Sequence, residues 1–181
     1  MEKPFLHNEL TDLIATQLKV GNSGDRLAAD MVNNLVFAAQ TFLTTVLKTE
    51  NFSLESPAAK KSGQELDVEF ASQVNLYDNG IHNSFSLLVN KEDLIKLSEK
   101  MNSLKDTPLE RIGYALGQSI LKHAIKGMKK SSSINFNLYM MEGEEAKKNL
   151  QPKKGIIIPM ECEGIHLRIL ASGEKKKARA A

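Results

Sequence analysis

Asp30 and Asn33 are the two side chains in this sequence best spaced for joint polar chemistry. One turn apart on a helix, they project together, so the carboxylate could hold a partner's cation while the amide orients a water. The polar flank of an ordinary helix has the same spacing. Other chemistries lack their residues. His7, His82, His123 and His166 are scattered, and none has a second His, Cys or carboxylate at metal-ligand spacing on its own element. The single cysteine, Cys162, lies in an apolar run with no His nearby in sequence; it reads as a packing residue suited to a reducing compartment. No serine stands in a Gly-x-Ser-x-Gly turn. Gly113 and Gly117 fall inside a helical stretch, not between a strand and a helix, so they form no phosphate loop. Each costs about 1 kcal/mol of helix propensity against Ala, which points to close approach by another element.

The elements that must position these residues follow from hydrophobic period. Residues 7–20 predict a short amphipathic helix through Leu10, Leu13, Ile14 and Leu18, interrupted at Gly21-Asn22-Ser23-Gly24. A core helix is expected over 25–48, where Leu27, Met31, Leu35, Ala38, Phe42 and Val46 form a wide apolar stripe. After a polar stretch with Pro57, the period changes to two at Leu66, Val68 and Phe70, then Val74 and Leu76. Asp78-Asn79-Gly80 is a type I′ hairpin signal leading into a partner strand over 81–89. Asn90 is placed to cap a helix over 91–103, and Thr107-Pro108-Leu109-Glu110 has the residues of a capping box opening a second long helix over 108–128. Strands are expected over 134–141, 155–162 and 165–171, with 142–154 as a solvated charged loop containing Glu142, Glu144, Glu145, Lys147 and Lys148. The order suggests two loosely equivalent halves on one mostly antiparallel sheet, an α+β fold.

The chain has 181 residues, 41% hydrophobic and 25% charged, with a formal charge of +2. That is one ordinary globular domain with no run long enough to span a membrane. Nothing in Met1 to His7 resembles an export signal, which points to the cytoplasm. Much of the basic excess sits in a tail at Lys175, Lys176, Lys177 and Arg179. The chain has no Trp and no aromatic-interleaved basic strand, so nucleic acid is not an expected partner. The second long helix carries Tyr114, Gln118, Leu121, Lys122 and Ile125 opposite its main stripe, and this face calls for a covering layer or a partner.

Residues 34–172 resemble the CheC/CheX/FliY group of bacterial chemotaxis phosphatases, and its CheX-like members most closely. The matching stretches are Asn34-Leu35-Val36-Phe37-Ala38-Ala39-Gln40-Thr41-Phe42-Leu43, then Val74-Asn75-Leu76-Tyr77 through Phe85-Ser86-Leu87-Leu88-Val89. Leu97-Ser98-Glu99-Lys100-Met101, the helix from Pro108, and Gly155-Ile156-Ile157-Ile158-Pro159-Met160 through Gly164-Ile165-His166-Leu167-Arg168-Ile169 complete the match. The resemblance implies a six-stranded antiparallel sheet packed by two long helices, often dimeric through strands. Residues 25–172 would form this domain, preceded by a helix and linker at 1–24 and followed by a disordered basic tail at 173–181.

Members of the group act on phosphorylated CheY. A Glu and an Asn three residues later project from a long helix; the Glu engages a lysine of the regulator and the Asn orients the attacking water. The resemblance implies no cofactor beyond magnesium held by the regulator. Laid on this chain, the motif puts Tyr114 at the Glu position and Gly117 at the Asn position, so the usual pair is absent. CheC-type members have a further motif on the first helix, where Asp30-Met31-Val32-Asn33 falls here, its Asp one methylene shorter than Glu. The sequence therefore predicts a signalling domain that binds a response regulator or another chemotaxis or flagellar protein, with Tyr114, Gly117, Gln118, Leu121 and Ile125 as its contact face. The alternatives are an active phosphatase using Asp30 and Asn33, and a structural dimerisation domain.

Overall fold

The computed structural model describes residues 22–78, 81–128 and 135–175. Helix α1 (Asn22–Leu47) has 26 residues, about 39 Å at 1.5 Å per residue. Ala28, Ala29, Met31, Val32, Leu35, Val36, Ala39 and Leu43 are all fully buried. An arc this wide is needed where a helix lies on a sheet and is flanked by a second helix. Asn22, Ser23 and Gly24 belong to its first turn and do not interrupt it. The helix expected over 7–20 lies outside the described residues.

Strands β1 (Phe52–Leu54), β2 (Ala58–Lys60), β3 (Phe70–Asp78) and β4 (Ile81–Val89) follow, then helix α2 (Lys91–Lys100) and a 3-10 turn (Asn102–Leu104). Helix α3 (Leu109–Lys126), β5 (Asn135–Glu142), α4 (Gly143–Leu150), β6 (Gly155–Cys162) and β7 (Ile165–Lys175) complete the described chain. All seven strands join one antiparallel sheet in the order β1-β6-β7-β4-β3-β5, with β2 also paired to β6. The fold class is α+β, as expected. The order also shows the two halves. Each runs from a long helix through short or edge strands to a hairpin; the hairpins β3–β4 and β6–β7 meet at β4 and β7, and each half's first strand crosses to the outer edge of the other's hairpin.

Several local expectations change. Leu66 and Val68 are buried in alternation, but 64–68 pairs with no strand. They close a second, smaller core with Ala71, Leu88, Met141, Ala146, Leu150 and Leu170 on the sheet face away from α1 and α3. Burial alone gives the period of two; no ladder is needed. The charged insert forms α4, whose Ala146 and Leu150 complete that core. Pro108, not Thr107, is the N-cap of α3, and no side chain caps it. Asn90 flanks α2, yet its Oδ1 accepts from the Glu69 N–H at 3.2 Å while Glu69 Oε1 accepts from the Lys91 N–H at 3.2 Å. The amide thus ties the strand entry to the helix entry. Strand β7 runs on to Lys175 because β4 offers a partner as far as Ile81, so Gly173, Glu174 and Lys175 belong to the sheet and not to a tail.

Lys60 on β2 is 1% exposed. Its Nζ donates to the carbonyls of Lys61 (3.2 Å), Gln151 (3.0 Å) and Lys153 (2.6 Å), the last two just beyond the C-terminus of α4. Burial, with Lys153 adding repulsion, pushes its ammonium below the usual lysine range. The three carbonyls supply the acceptors a buried cation needs and fix α4 against the β2 strand. Lys60→Ala leaves these carbonyls without their donor and is expected to cost about 1–3 kcal/mol. Chemical denaturation should show the loss, and amide exchange should show weakened protection in 58–60 and at the end of α4.

Candidate functional site

Helices α1 and α3 lie together on one face of the sheet. Asn34 links them: its Nδ2 donates to Met128 Sδ at 3.2 Å, just past the end of α3. The fully buried arc of α1 leaves Asp30, Asn33, Phe37, Gln40, Thr41 and Thr44 on the side away from the sheet. Asp30 and Asn33 thus share the outer flank of α1, as their spacing requires. Both are half-buried, and no residue from Leu27 to Thr44 is fully exposed. Alongside, a groove of about 310 Å³ runs between the helices, lined by Thr41, Phe42 and Val46 of α1 and by Ser119 and His123 of α3. The exposed side of α3 carries Arg111, Lys122 and Lys126, a cationic strip beside the groove.

On α3 the expected contact face divides. Tyr114 is 54% exposed, and Gln118 and Ile125 are half-buried. Leu121 is fully buried, packed in the main core. Gly117 is buried too, and a Cβ built there would stand 1.7 Å from Ser72 Oγ and 2.5 Å from Ser72 Cβ. One turn earlier, a Cβ at Gly113 would meet Leu94 Cδ1 at 3.3 Å and Phe70 at 3.5 Å. The two glycines therefore let α3 settle onto β3, as their place in a helix predicts. The same contact turns position 117 toward the sheet, where no amide side chain fits.

The remaining candidate groups are dispersed. His82 on β4 stacks on Tyr77, with ring centroids 4.6 Å apart and planes 9° apart, and its Nε2 lies 3.2 Å from Asn75 Oδ1. The His166 backbone N–H donates to Asp93 Oδ1 at 2.9 Å, and His7 lies outside the described residues. Among the described residues no three of His, Cys, Asp and Glu gather as metal ligands would. Cys162 is fully buried; burial pushes its thiol up, and Glu163 and Glu161 add to the effect.

Two features escape a reading by element. On the sheet face away from the long helices, Gln73 Nε2 donates to Asn75 Oδ1 (2.9 Å) and to Tyr139 Oη (2.6 Å), and Ser86 Oγ donates to Gln73 Oε1 (3.2 Å). This network crosses β5, β3 and β4. The alternation of polar residues in β3 and β4 carries its signal, but the pairing register that assembles it does not appear in one strand. The second is a pocket of about 280 Å³ where α3 overhangs β5, lined by Phe70, Gly113, Tyr114, Met140 and Met141 with Glu110, Glu142 and Glu145 at its rim.

Gly117→Ala is expected to destabilise the fold by about 1–3 kcal/mol, because the added methyl must displace Ser72 or lift α3. Ser72→Gly removes both crowding atoms. In a double-mutant cycle followed by thermal unfolding it should recover part of that loss; equal losses with and without Ser72 would refute the contact.

The sequence matches no protein-family model, and no curated protein matches it. Solved structures do. The chemotaxis protein CheX from Vibrio vulnificus superimposes with a TM-score of 0.58 at 14% identity, over 80% of this chain and 99% of that one. A chain of the CheX–CheY–BeF3–magnesium complex from Borrelia burgdorferi gives 0.55 at 16% identity, over 80% and 97%. The FliM middle domain from H. pylori gives 0.56 at 7% identity, over 84% and 92%. The chain has a CheC/CheX/FliY-like fold.

Proposed function

We propose that this chain, built on a CheC/CheX/FliY-like fold, is a protein-binding signalling domain of chemotaxis or motility. It docks a response regulator, or a related flagellar partner, through the outer side of its second long helix, at Tyr114, Gln118 and Ile125, without the usual catalytic pair on that helix. The observation that carries this reading is at Gly117: the position of the family's water-orienting Asn faces Ser72 with no room for a side chain, and Tyr114 stands exposed where the carboxylate would be. The groove between α1 and α3 and the cationic strip beside it support a docking role for this face. A similar structure is of CheX in complex with CheY, which supports the class of partner.

The placement of Asp30 and Asn33 on the outer flank of α1 favours a second reading, an aspartyl-phosphate phosphatase. Asp30 would engage a lysine of the regulator, and Asn33 would orient a water for attack on phosphorus. The P–O bond to the regulator's aspartate breaks, releasing inorganic phosphate and the free carboxylate. Such catalysis is positioning, and magnesium comes with the regulator, so this chain needs no cofactor of its own.

One assay separates the readings: phosphorylated regulator with magnesium, incubated with the chain or with Asn33→Ala, following the phosphoryl group and measuring binding by calorimetry. The binding reading expects association without faster dephosphorylation. Acceleration that disappears in the variant establishes the enzyme, and no association with any tested regulator removes the regulator as the partner. Tyr114→Lys should leave thermal unfolding within about 0.5 kcal/mol of the parent while weakening association, since the side chain is half in solvent.

A further inference from the structure

We infer that the outer flank of α1 is a docking surface for the chain's own N-terminal stretch, residues 7–20, which return along it, antiparallel, as an amphipathic helix. The surface is separate from Tyr114, Gln118 and Ile125, and the inference does not rest on the regulator reading.

The burial of α1 demands a cover. Both long helices lie on the same face of the sheet, yet α3 exposes Tyr114, Ala115, Ser119, Lys122 and Lys126 along its length, whereas α1 exposes nothing from Leu27 to Thr44. The described elements that pack chiefly on α1 are α3 and strands β1, β4 and β7, which account for its sheet side and one flank. On the outer flank Phe37 is half-buried, and Gln40 Oε1 and Thr41 Oγ1 are closed to solvent with no hydrogen-bond partner. An unpaired oxygen is kept from water only by something lying over it. This burial is that of a single chain, so the cover belongs to the same molecule and not to a second copy.

Length then selects the segment. Leu27 to Thr44 spans about 26 Å of helix. Outside the described residues the chain has 1–21, 79–80, 129–134 and 176–181. The two internal stretches are held at both ends, and the six residues after Lys175 reach about 20 Å even when fully extended. Residues 7–20 make a helix of about 21 Å joined almost directly to the start of α1, and residues 1–6 supply the remainder. Exposure returns at Thr45, where such a segment runs out.

Its residues fit the place. Leu10, Leu13, Ile14 and Leu18 give one apolar face, and Gly21 is the residue type that ends a helix and lets the chain turn back. Laid antiparallel from Val20 beside Leu27, the stretch sets Leu10 beside Phe37. Lys122 and Lys126 lie level with this part of α1, since Asn34 meets Met128 and Thr41 shares the groove with His123. Glu9 and Asp12 then arrive level with two cations. A partner that reaches Asp30 must displace the segment, whereas Tyr114 stays open.

The sequence has no tryptophan, so Phe37→Trp in the full chain places a single reporter on the flank. Its emission should be blue-shifted, and adding L10D/L13D should raise acrylamide quenching by about twofold or more with unchanged circular dichroism. The same pair combined with Tyr114→Trp should leave quenching unchanged. Equal quenching at position 37 with and without L10D/L13D overturns the inference. Should the charged pair unfold the chain, a cross-link decides: oxidised L10C/F37C is expected to run as a faster monomer band on a non-reducing gel, and L10C/Y114C is not. Linkage at dimer mobility assigns the flank to a second copy's segment and overturns the proposal, as does no linkage at all.

Discussion

The contact between α3 and β3 at Gly113 and Gly117 sets the position of nearly everything of functional interest in this chain. A helix normally rides about 10 Å above a sheet because side chains intervene. Here Ser72 occupies the space a Cβ of residue 117 would need, so the backbone of α3 descends toward the sheet along that turn. That approach buries Leu121, swings Tyr114 out over β5, and forms one wall of the pocket rimmed by Glu110, Glu142 and Glu145. It also removes any amide from the position where the resemblance would place one. The same packing that stabilises the helix on the sheet therefore leaves no room for a side chain at position 117.

The two sides of the sheet are finished differently. Toward α1 and α3 it is mainly apolar from β3 to β6, interrupted by Ser72 and the buried Asn83, with Val74, Leu76, Phe85, Leu87, Ile169 and Ile158 in one continuous core. On the other side α4 and the 64–68 segment pack against part of it. The remainder carries Gln73, Asn75, Ser84, Ser86 and Ser172, whose side chains are buried and hydrogen-bonded, to one another or to Tyr139, Lys153 and the Lys154 carbonyl. Amides and hydroxyls paired in this way are buried without leaving their hydrogen-bonding groups unmet. The buried Lys60 works on the same principle at the edge, where three carbonyls replace the water that a lone ammonium would lose.

Much of this fold was legible from residue spacing. The long helices, the β3–β4 hairpin and the closing β6–β7 hairpin follow from periods of 3.6 and two and from turn residues, which are local properties of the chain. Misreadings arose where local signals compete with distant partners. Leu66 and Val68 alternate like a strand but bury against Leu88 and Leu170 without a ladder. Thr107 and Glu110 have the spacing of a capping box, yet the helix opens at Pro108 without one. The three-residue strands β1 and β2 have no period to detect and exist because β6 offers them a partner.

The sequence by itself determined the class of the fold, the absence of a Glu-x-x-Asn pair at Tyr114 and Gly117, and the shared face of Asp30 and Asn33, because residue identity and helical spacing are intrinsic to the chain. Tertiary structure alone decided which of those residues meet solvent. Gly117 and Leu121 go inward because Ser72 lies beneath the one and the core beneath the other. Glu110, Glu142 and Glu145 surround one pocket because α3, β5 and α4, distant along the chain, converge at the edge of the sheet. Spacing fixes directions on one element, whereas a site is made by the distances between elements, and those depend on how closely two backbones can approach.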